Sequence, residues 1–247
     1  MANEKRVALV TGAYRGLGLE IVRQLAQQGI RVYLGARSAD KAESAAKSLQ
    51  AEGLDVLPIT LDVTKTADIQ AAAKLLESKE GKLDILVNNA GVKLDKGDWG
   101  GPTASTIPPE DLRHTFDANF FGLVELTQVL LPLIRKSDAG RIVNHSSILG
   151  SLQYRADPNS PIYGSKLFGY NSSKTAVNAF TLHLAQELKD TPIKVNSAHP
   201  GWVKTDLGGD DAPLDTVEGA KTAVGLALIG PDGPTGGYFH AGKPIPL

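Results

Sequence analysis

Short apolar runs alternate along the chain with longer stretches whose apolar residues return every three or four positions. Residues 7–10 form an unbroken apolar run, as a buried strand requires. Behind it, Leu17, Ile21, Val22, Leu25 and Ala26 predict the inner face of a helix that Gly29 can stop. Residues 31–36 predict a second strand, and Ser38 stands where an N-cap belongs for a helix running to about Gly53. A third strand follows over 56–61. Ile69, Ala72, Ala73 and Leu76 then line a helix that Gly81 ends, and 83–87 predicts a fourth strand. The second half continues with a helix over about 110–134, a strand at 141–145, a helix over 170–188 and a strand at 193–197. A helix near 216–228 and a last strand at 237–240 complete the pattern.

Strand and helix in strict alternation predict parallel pairing with right-handed crossovers. Near-continuous apolar strands belong to a sheet covered on both faces. The expected fold is therefore an α/β, doubly wound (Rossmann) parallel sheet with helices on both faces, and no repeat or long linker divides residues 1–247 into more than a single domain. Three loops are long or rich in Gly and Pro: 92–108, 148–169 and 201–214. Each follows a predicted strand, so all three should gather at the carboxyl edge of the sheet, where open α/β sheets bind ligands.

Composition narrows the chemistry. The chain of 247 residues carries a formal net charge of -1 and no basic block, which gives no electrostatic reason to expect nucleic acid or an anionic membrane. It has 0 cysteines, which excludes disulfides, thiolate catalysis and cysteine-ligated zinc. The 5 histidines form no ligand pair, so no metal site is expected. The apolar run after the first six residues is too short for a signal peptide, and no stretch reaches the length of a membrane span. An intracellular, cytoplasmic, soluble protein is the resulting expectation.

The loop after the first strand holds Gly12, Gly16 and Gly18, with Arg15 and Leu17 between them. Gly12 permits a tight turn, and Gly16 and Gly18 let backbone, phosphate and helix approach closely. The helix N-terminus behind them offers free N–H groups to a pyrophosphate. An NAD binder usually places a carboxylate at the end of the second strand. This chain has Gly35, Ala36 and Arg37 there, so nothing repels a 2′-phosphate and Arg37 can grip one, with Arg15 within reach. NADP(H) is the expected cofactor. Tyr170 and Lys174 are four apart in a helical segment and share a face. A free tyrosine titrates near ~10, and a neighbouring ammonium lowers that value toward the range useful for proton exchange. Ser147 can hold a carbonyl oxygen near the phenol. Ser146 is adjacent to it, so only one of the two serines can point into the site.

Taken together, these residues resemble the short-chain dehydrogenase/reductase family over nearly the whole chain. The markers are Thr11, Gly12, Gly16 and Gly18; Asp62 and Val63; Asn88, Asn89, Ala90 and Gly91; Asn119; Ser146 and Ser147; Tyr170 and Lys174; and the run from Pro200 through Gly201, Val203 and Thr205. The resemblance implies NADPH-dependent reduction of a small-molecule carbonyl, an aldehyde, ketone or quinone. Tyr170 is then the acid, Ser147 orients the carbonyl, Lys174 binds ribose hydroxyls and tunes the tyrosine, and Asn119 supports a proton-carrying water. It also implies that Asp62 and Val63 contact the adenine, and that Asn88, Ala90 and Gly91 line the adenosine side. Val203 and Thr205 meet the nicotinamide carboxamide, and Pro200 and Tyr170 are further cofactor contacts. The segment between Ser147 and Tyr170 is longer than the family commonly has, which resembles the carbonyl-reductase branch and implies a monomer. Trp99, Leu149, Tyr154, Tyr163 and Trp202 are the candidate walls of an apolar substrate pocket. A catalytically silent NADP(H)-binding sensor or scaffold is the competing reading. A sensor has no physical need for all four of Asn119, Ser147, Tyr170 and Lys174.

Overall fold

A computed structural model describes residues 5–95 and 101–247. The strands β1 (Val7–Val10), β2 (Arg31–Ala36), β3 (Val56–Thr60), β4 (Ile85–Asn88), β5 (Arg141–His145), β6 (Lys194–Ala198), β7 (Tyr238–His240) and β8 (Lys243–Pro244) form one sheet in the order β3-β2-β1-β4-β5-β6-β7-β8. The first seven pair in parallel. β8 departs from the expectation and returns antiparallel beside β7 through Ala241 and Gly242, both at positive φ. Its two residues are too few to carry an alternating pattern. Helices α1 (Gly16–Gln27), α2 (Ala39–Ala51) and α8 (Thr216–Leu228) bury Ile21, Leu25, Leu49 and Ala223 in one core cluster. On the opposite face, α3 (Thr66–Glu80), α5 (Gly122–Ile134) and α7 (Phe168–Glu187) bury Leu76, Leu130 and Leu184 in a second cluster. The strand order reverses between β1 and β4, so a ligand crevice opens at the carboxyl ends there.

Helix ends follow the glycines. Gly29 and Gly81 sit at φ 77° and 72°, and the Gly81 amide donates to the carbonyls of Leu76 and Glu77 to close α3. Ser38 occupies the N-cap position of α2 but its hydroxyl makes no capping bond, and the helix stops at Ala51, short of Gly53.

The helix expected over 110–134 is α4 (Pro109–Phe116), a π-helical turn (Asp117–Phe121) and α5 in unbroken succession. This 26-residue helix contains an 18-residue window with mean hydropathy 1.3, the length and composition of a membrane span, contrary to the expectation that no stretch does. Here it is a core helix: Leu126, Leu130 and Ile134 are fully buried in the second cluster. It crosses close to the loop after β3. A Cβ on Gly122 would lie 2.2 Å from the carbonyl oxygen of Val63 and 2.8 Å from its carbon. Both atoms are backbone, so neither can rotate away. Gly122→Ala is expected to cost about 3 kcal/mol in urea unfolding, the upper end for overpacking a rigid contact. An unchanged midpoint would mean that the two segments can part without loss.

Candidate active site

The carboxyl ends of β1, β4 and β5 are tied together by hydrogen bonds before any catalytic group is considered. Thr11 Oγ1 accepts from the amides of Asn89 (3.0 Å) and Ala90 (2.9 Å). Asn89 Nδ2 donates to the carbonyls of Thr11 (2.8 Å) and Gly12 (3.1 Å). These bonds hold the glycine loop against β4, and the packing leaves no room for side chains. A Cβ on Gly12, which sits at φ 62°, would fall 2.8 Å from Ala90 Cα, and one on Gly18 would fall 2.5 Å from Asn89 Nδ2. No side chain caps the start of α1. Its first amides are therefore available to an anion, as the glycine pattern predicts.

Asn89 Oδ1 is left as an acceptor, so His145 Nδ1, 2.8 Å away, carries the proton. His145 Nε2 is buried without a partner among the described residues. Burial first, then Lys174 and His199, push this imidazole down to about 3. His199, whose ring lies 4.8 Å from that of His240, is pushed down to about 3 by burial and His240. Both rings are neutral in the folded protein, whereas in the unfolded chain they titrate near ~6.5. Below that pH the unfolded chain binds more protons, so stability present above pH ~6.5 is lost as the pH falls toward 3, at up to about 1.4 kcal/mol per pH unit for each histidine. Urea unfolding between pH 7 and 4.5 should show this fall, with a shallower slope in His199→Asn. A flat profile would mean that the folded protein holds these rings charged.

The catalytic candidates converge from three elements. The Ser147 hydroxyl accepts from the Leu149 amide at 3.3 Å and lies beside Tyr170. Ser146 turns the other way and donates to the Lys174 carbonyl at 3.3 Å, so Ser147 is the serine that faces the site. Tyr170, in the first turn of α7, is 7% exposed and packs with Leu149, Ile162 and Leu167. Lys174 Nζ lies 5.6 Å from the centroid of the Tyr170 ring and donates to the His145 carbonyl at 2.8 Å. Burial pushes the phenol up to about 12, with Ser147 opposing the rise, and burial pulls the ammonium down to about 8. The sequence-based expectation was a phenol lowered by its lysine. Here burial and Ser147 alone set the shift of the phenol, and Lys174 lies over the face of its ring.

Asn119 is fully buried in the π-helical turn, a wider turn that recurs at functional sites. Its Oδ1 accepts from the Val92 amide (2.7 Å), and its Nδ2 donates to the Val92 carbonyl (2.9 Å) and to Ser173 Oγ (3.0 Å). A Cβ on Gly91 would meet Asn119 Oδ1 at 3.3 Å and Lys174 Nζ at 3.5 Å, so Gly91 borders the two groups expected to share a proton path. The side chain of Asn88 faces inward instead. Its Nδ2 donates to Thr127 Oγ1 (2.9 Å) and Asn144 Oδ1 (2.8 Å), and Asn144 Nδ2 passes the chain to Thr181 Oγ1 (2.9 Å), which Ser197 also reaches (2.9 Å). Asn88, Asn144 and Ser197 are register partners on adjacent strands, so this polar ladder locks β4, β5 and β6 behind the site. Any cofactor contact from Asn88 falls to its backbone.

At the far end of the crevice, Arg37 is exposed at the tip of β2 and helps hold Asp62 ionised. Burial works against the Asp62 charge, but the Thr64 hydroxyl and amide, Lys65 and Arg37 prevail and lower its pKa. Arg15, expected within reach of the 2′-phosphate, has a carboxylate partner in this structure. It pairs with Asp206, in the loop after β6, and its guanidinium lies 5.1 Å from the centroid of Tyr14. Lys41 lies 5.0 Å from the same ring. Sequence reading missed Lys41 and Tyr14, although Lys41 follows Arg37 by four residues in the first turn of α2. The loop after β6 folds over the glycine loop: Thr205 Cγ2 is the atom nearest a Cβ placed on Gly16, at 3.5 Å. Val203 is buried and bridges to Leu214, and Pro200, half-buried, leads from β6 into this loop. Leu17 is half-buried at the start of α1, and a Cβ on Gly219 of α8 would approach its Cδ1 to 3.2 Å. The residues present fit a dinucleotide with a 2′-phosphate: a side-chain-free cradle at a helix start, no carboxylate at the tip of β2, and two cations, Arg37 and Lys41, beside it.

Of the proposed pocket walls, Leu149 and Tyr154 do pack around Tyr170, together with Ile162 and Leu167. The long segment before Tyr170 forms α6 (Leu152–Ala156), and Arg155 ties it down through the carbonyls of Ile162 (2.8 Å) and Ser165. Tyr163 is 52% exposed, and Trp202 is 41% exposed with its Nε1 donating to the Gly208 carbonyl. Trp99 lies outside the described residues.

Fold and site together define a dinucleotide-binding oxidoreductase. The short chain dehydrogenase family model matches residues 6–213. Human carbonyl reductase [NADPH] 1 is 34% identical over 276 residues, covering 96% of this chain and 97% of the relative. Among solved structures, NADPH-bound carbonyl reductase from chicken fatty liver superposes with TM-score 0.85 at 25% identity, covering 99% of this chain and all of that one. Salutaridine reductase from Papaver somniferum superposes with TM-score 0.82 at 30% identity, covering 95% and 99%. The chain belongs to the short-chain dehydrogenase family.

Proposed function

We propose that the whole chain works as one NADP(H)-binding unit that reduces an aldehyde, ketone or quinone to the alcohol. The observation that carries this reading is the buried phenol of Tyr170, raised to about 12 and set beside Ser147 and Lys174. A phenol so placed keeps its proton at neutral pH. It is a well-placed acid for an oxygen that gains negative charge. NADPH, when bound, supplies the hydride to the carbonyl carbon. The Ser147 hydroxyl orients the carbonyl oxygen toward the phenol. Tyr170 then delivers its proton to that oxygen as charge develops, and Lys174 stabilises the phenolate left behind. Asn119 holds the Val92 backbone and Ser173 in place, beside Lys174, where it would support a water that returns protons from solvent to the lysine.

Leu149, Tyr154, Ile162 and Leu167 favour an apolar substrate. The net charge of -1 and the absence of a basic block give no electrostatic support for a nucleic-acid partner. The segment holding α6 supports a monomer, to be checked by light scattering. Following NADPH and NADH oxidation with a panel of aldehydes, activated ketones and quinones tests the reading. Turnover with NADPH well above that with NADH supports it. Tight NADPH binding with no turnover on any carbonyl would favour the silent sensor.

A further inference from the structure

The helix that carries Tyr170 and Lys174 does not cap itself. Leu167 occupies the N-cap position of α7 and provides no side-chain acceptor. The amides of the first turn nevertheless have partners, and nearly all come from the loop after β4. The Gly169 amide donates to Asp95 Oδ1 at 3.0 Å, and the Tyr170 amide donates to Asp95 Oδ2 at 2.9 Å. The Phe168 amide reaches the Pro102 carbonyl at 3.4 Å. Asp95 itself is 4% exposed, and it makes no ion pair among the described residues. A buried carboxylate without a cation is costly unless its oxygens are satisfied. Here each oxygen accepts a backbone amide at the start of a 20-residue helix, so both have partners.

The contact leaves little slack. A Cβ on Gly169 would lie 2.8 Å from Ile107 Cδ1 and 3.4 Å from both Asp95 oxygens. The segment from Gly91 to Asp95 is pinned at its other end as well, where Asn119 holds both the amide and the carbonyl of Val92. One short stretch of loop thus bridges the π-helical turn and the first turn of α7.

We propose that Asp95 is a positioning residue for the reduction: its carboxylate caps the catalytic helix at the backbone amide of Tyr170 and thereby couples docking of the loop after β4 to the placement of the phenol. The inference rests on Tyr170 being the acid, as proposed above. Loss of the cap frees the first turn of α7 to fray, and Tyr170 lies in that turn while Lys174 lies one turn deeper. The phenol is misplaced, whereas the glycine loop and Arg37 are untouched.

The test compares wild type with Asp95→Asn and Asp95→Ala. In Asp95→Ala, kcat is expected to fall roughly tenfold to a hundredfold, the scale of a misplacement of about 1 Å in a reacting group. NADPH affinity, read by fluorescence titration, should stay within about twofold, since the phosphate contacts remain. Asp95→Asn keeps one acceptor oxygen and should fall between the two. Amide hydrogen exchange gives an independent readout: peptides covering 101–107 and 167–173 should exchange faster together in Asp95→Ala, with β1 unchanged. Unaltered exchange at the start of α7, or faster exchange there with unaltered kcat, would overturn the proposal. Tyr170→Phe assayed alongside separates the two readings. Full activity in that variant defeats the catalytic assignment, while the exchange result still reports on the cap.

Discussion

Tyr170→Phe is expected to lower kcat by about a thousandfold or more, within the range that a positioned general acid contributes. NADPH binding should remain within about threefold, because the ring and not the hydroxyl makes the packing contacts. Tyr170 is nearly buried, and its neighbours Leu149, Ile162 and Leu167 are apolar, so phenylalanine fills the same space. The substitution removes one oxygen that burial already holds in its protonated form. The fold therefore has nothing to lose in charge, and the loss in rate reads the chemistry alone. Lys174→Met is the companion variant. Burial draws the Lys174 ammonium down to about 8. The folded state therefore binds fewer protons than the unfolded one between about pH 8 and the free lysine value near ~10.5, and wild-type stability rises across that window. Lys174→Met should flatten this rise while losing activity. Stopped-flow turnover for the first variant and unfolding against pH for the second separate the two groups. Activity that survives Tyr170→Phe would mean that another group delivers the proton.

The layout of the sheet was legible in the sequence because each strand is a short apolar run and each helix shows its period. The glycine loop and the Tyr170 and Lys174 pair were legible because local spacing places them on a turn and a helix face, whereas Ser147 was separated from Ser146 only by the family resemblance. What the sequence hid was set by long-range contacts. Asn88 carries the family pattern, yet its side chain serves a ladder that exists only once β4, β5 and β6 are in register. The π-helical turn at Asn119 adds little over five residues to a helical period, so the stretch 110–134 looked like one helix. Asp95 in a loop reads as a solvated charge, and nothing in its neighbours reveals that the amides it caps lie some 75 residues further on. Arg15 was correctly placed in the glycine loop, but its partner Asp206 comes from the other half of the chain.

That pairing sharpens what to expect of cofactor choice. Arg37 makes no ion pair among the described residues at ion-pair distance, stands exposed at the tip of β2 and faces the crevice end where Asp62 lies. Arg15 must exchange Asp206 for a phosphate, and Lys41 is held over Tyr14. Arg37 is thus the cation with least to give up on meeting a 2′-phosphate. A charge-assisted bond of this kind contributes about 1.5–3 kcal/mol, so Arg37→Ala should raise the KM for NADPH by about ten- to a hundredfold. The KM for NADH, which has no 2′-phosphate, should barely move, and kcat with saturating NADPH should hold, since the hydride end of the crevice is untouched. Arg15→Ala should cost less, because in wild type part of that interaction is offset by releasing Asp206. Asp206→Asn tests the same competition from the other side: freeing Arg15 should lower the KM for NADPH at low salt and leave NADH unaffected. Steady-state kinetics with both nucleotides measure all three variants. An Arg37→Ala variant that keeps its preference for NADPH would move the 2′-phosphate site onto Arg15 and Lys41, with Asp206 then acting as the group that yields Arg15 when the nucleotide arrives.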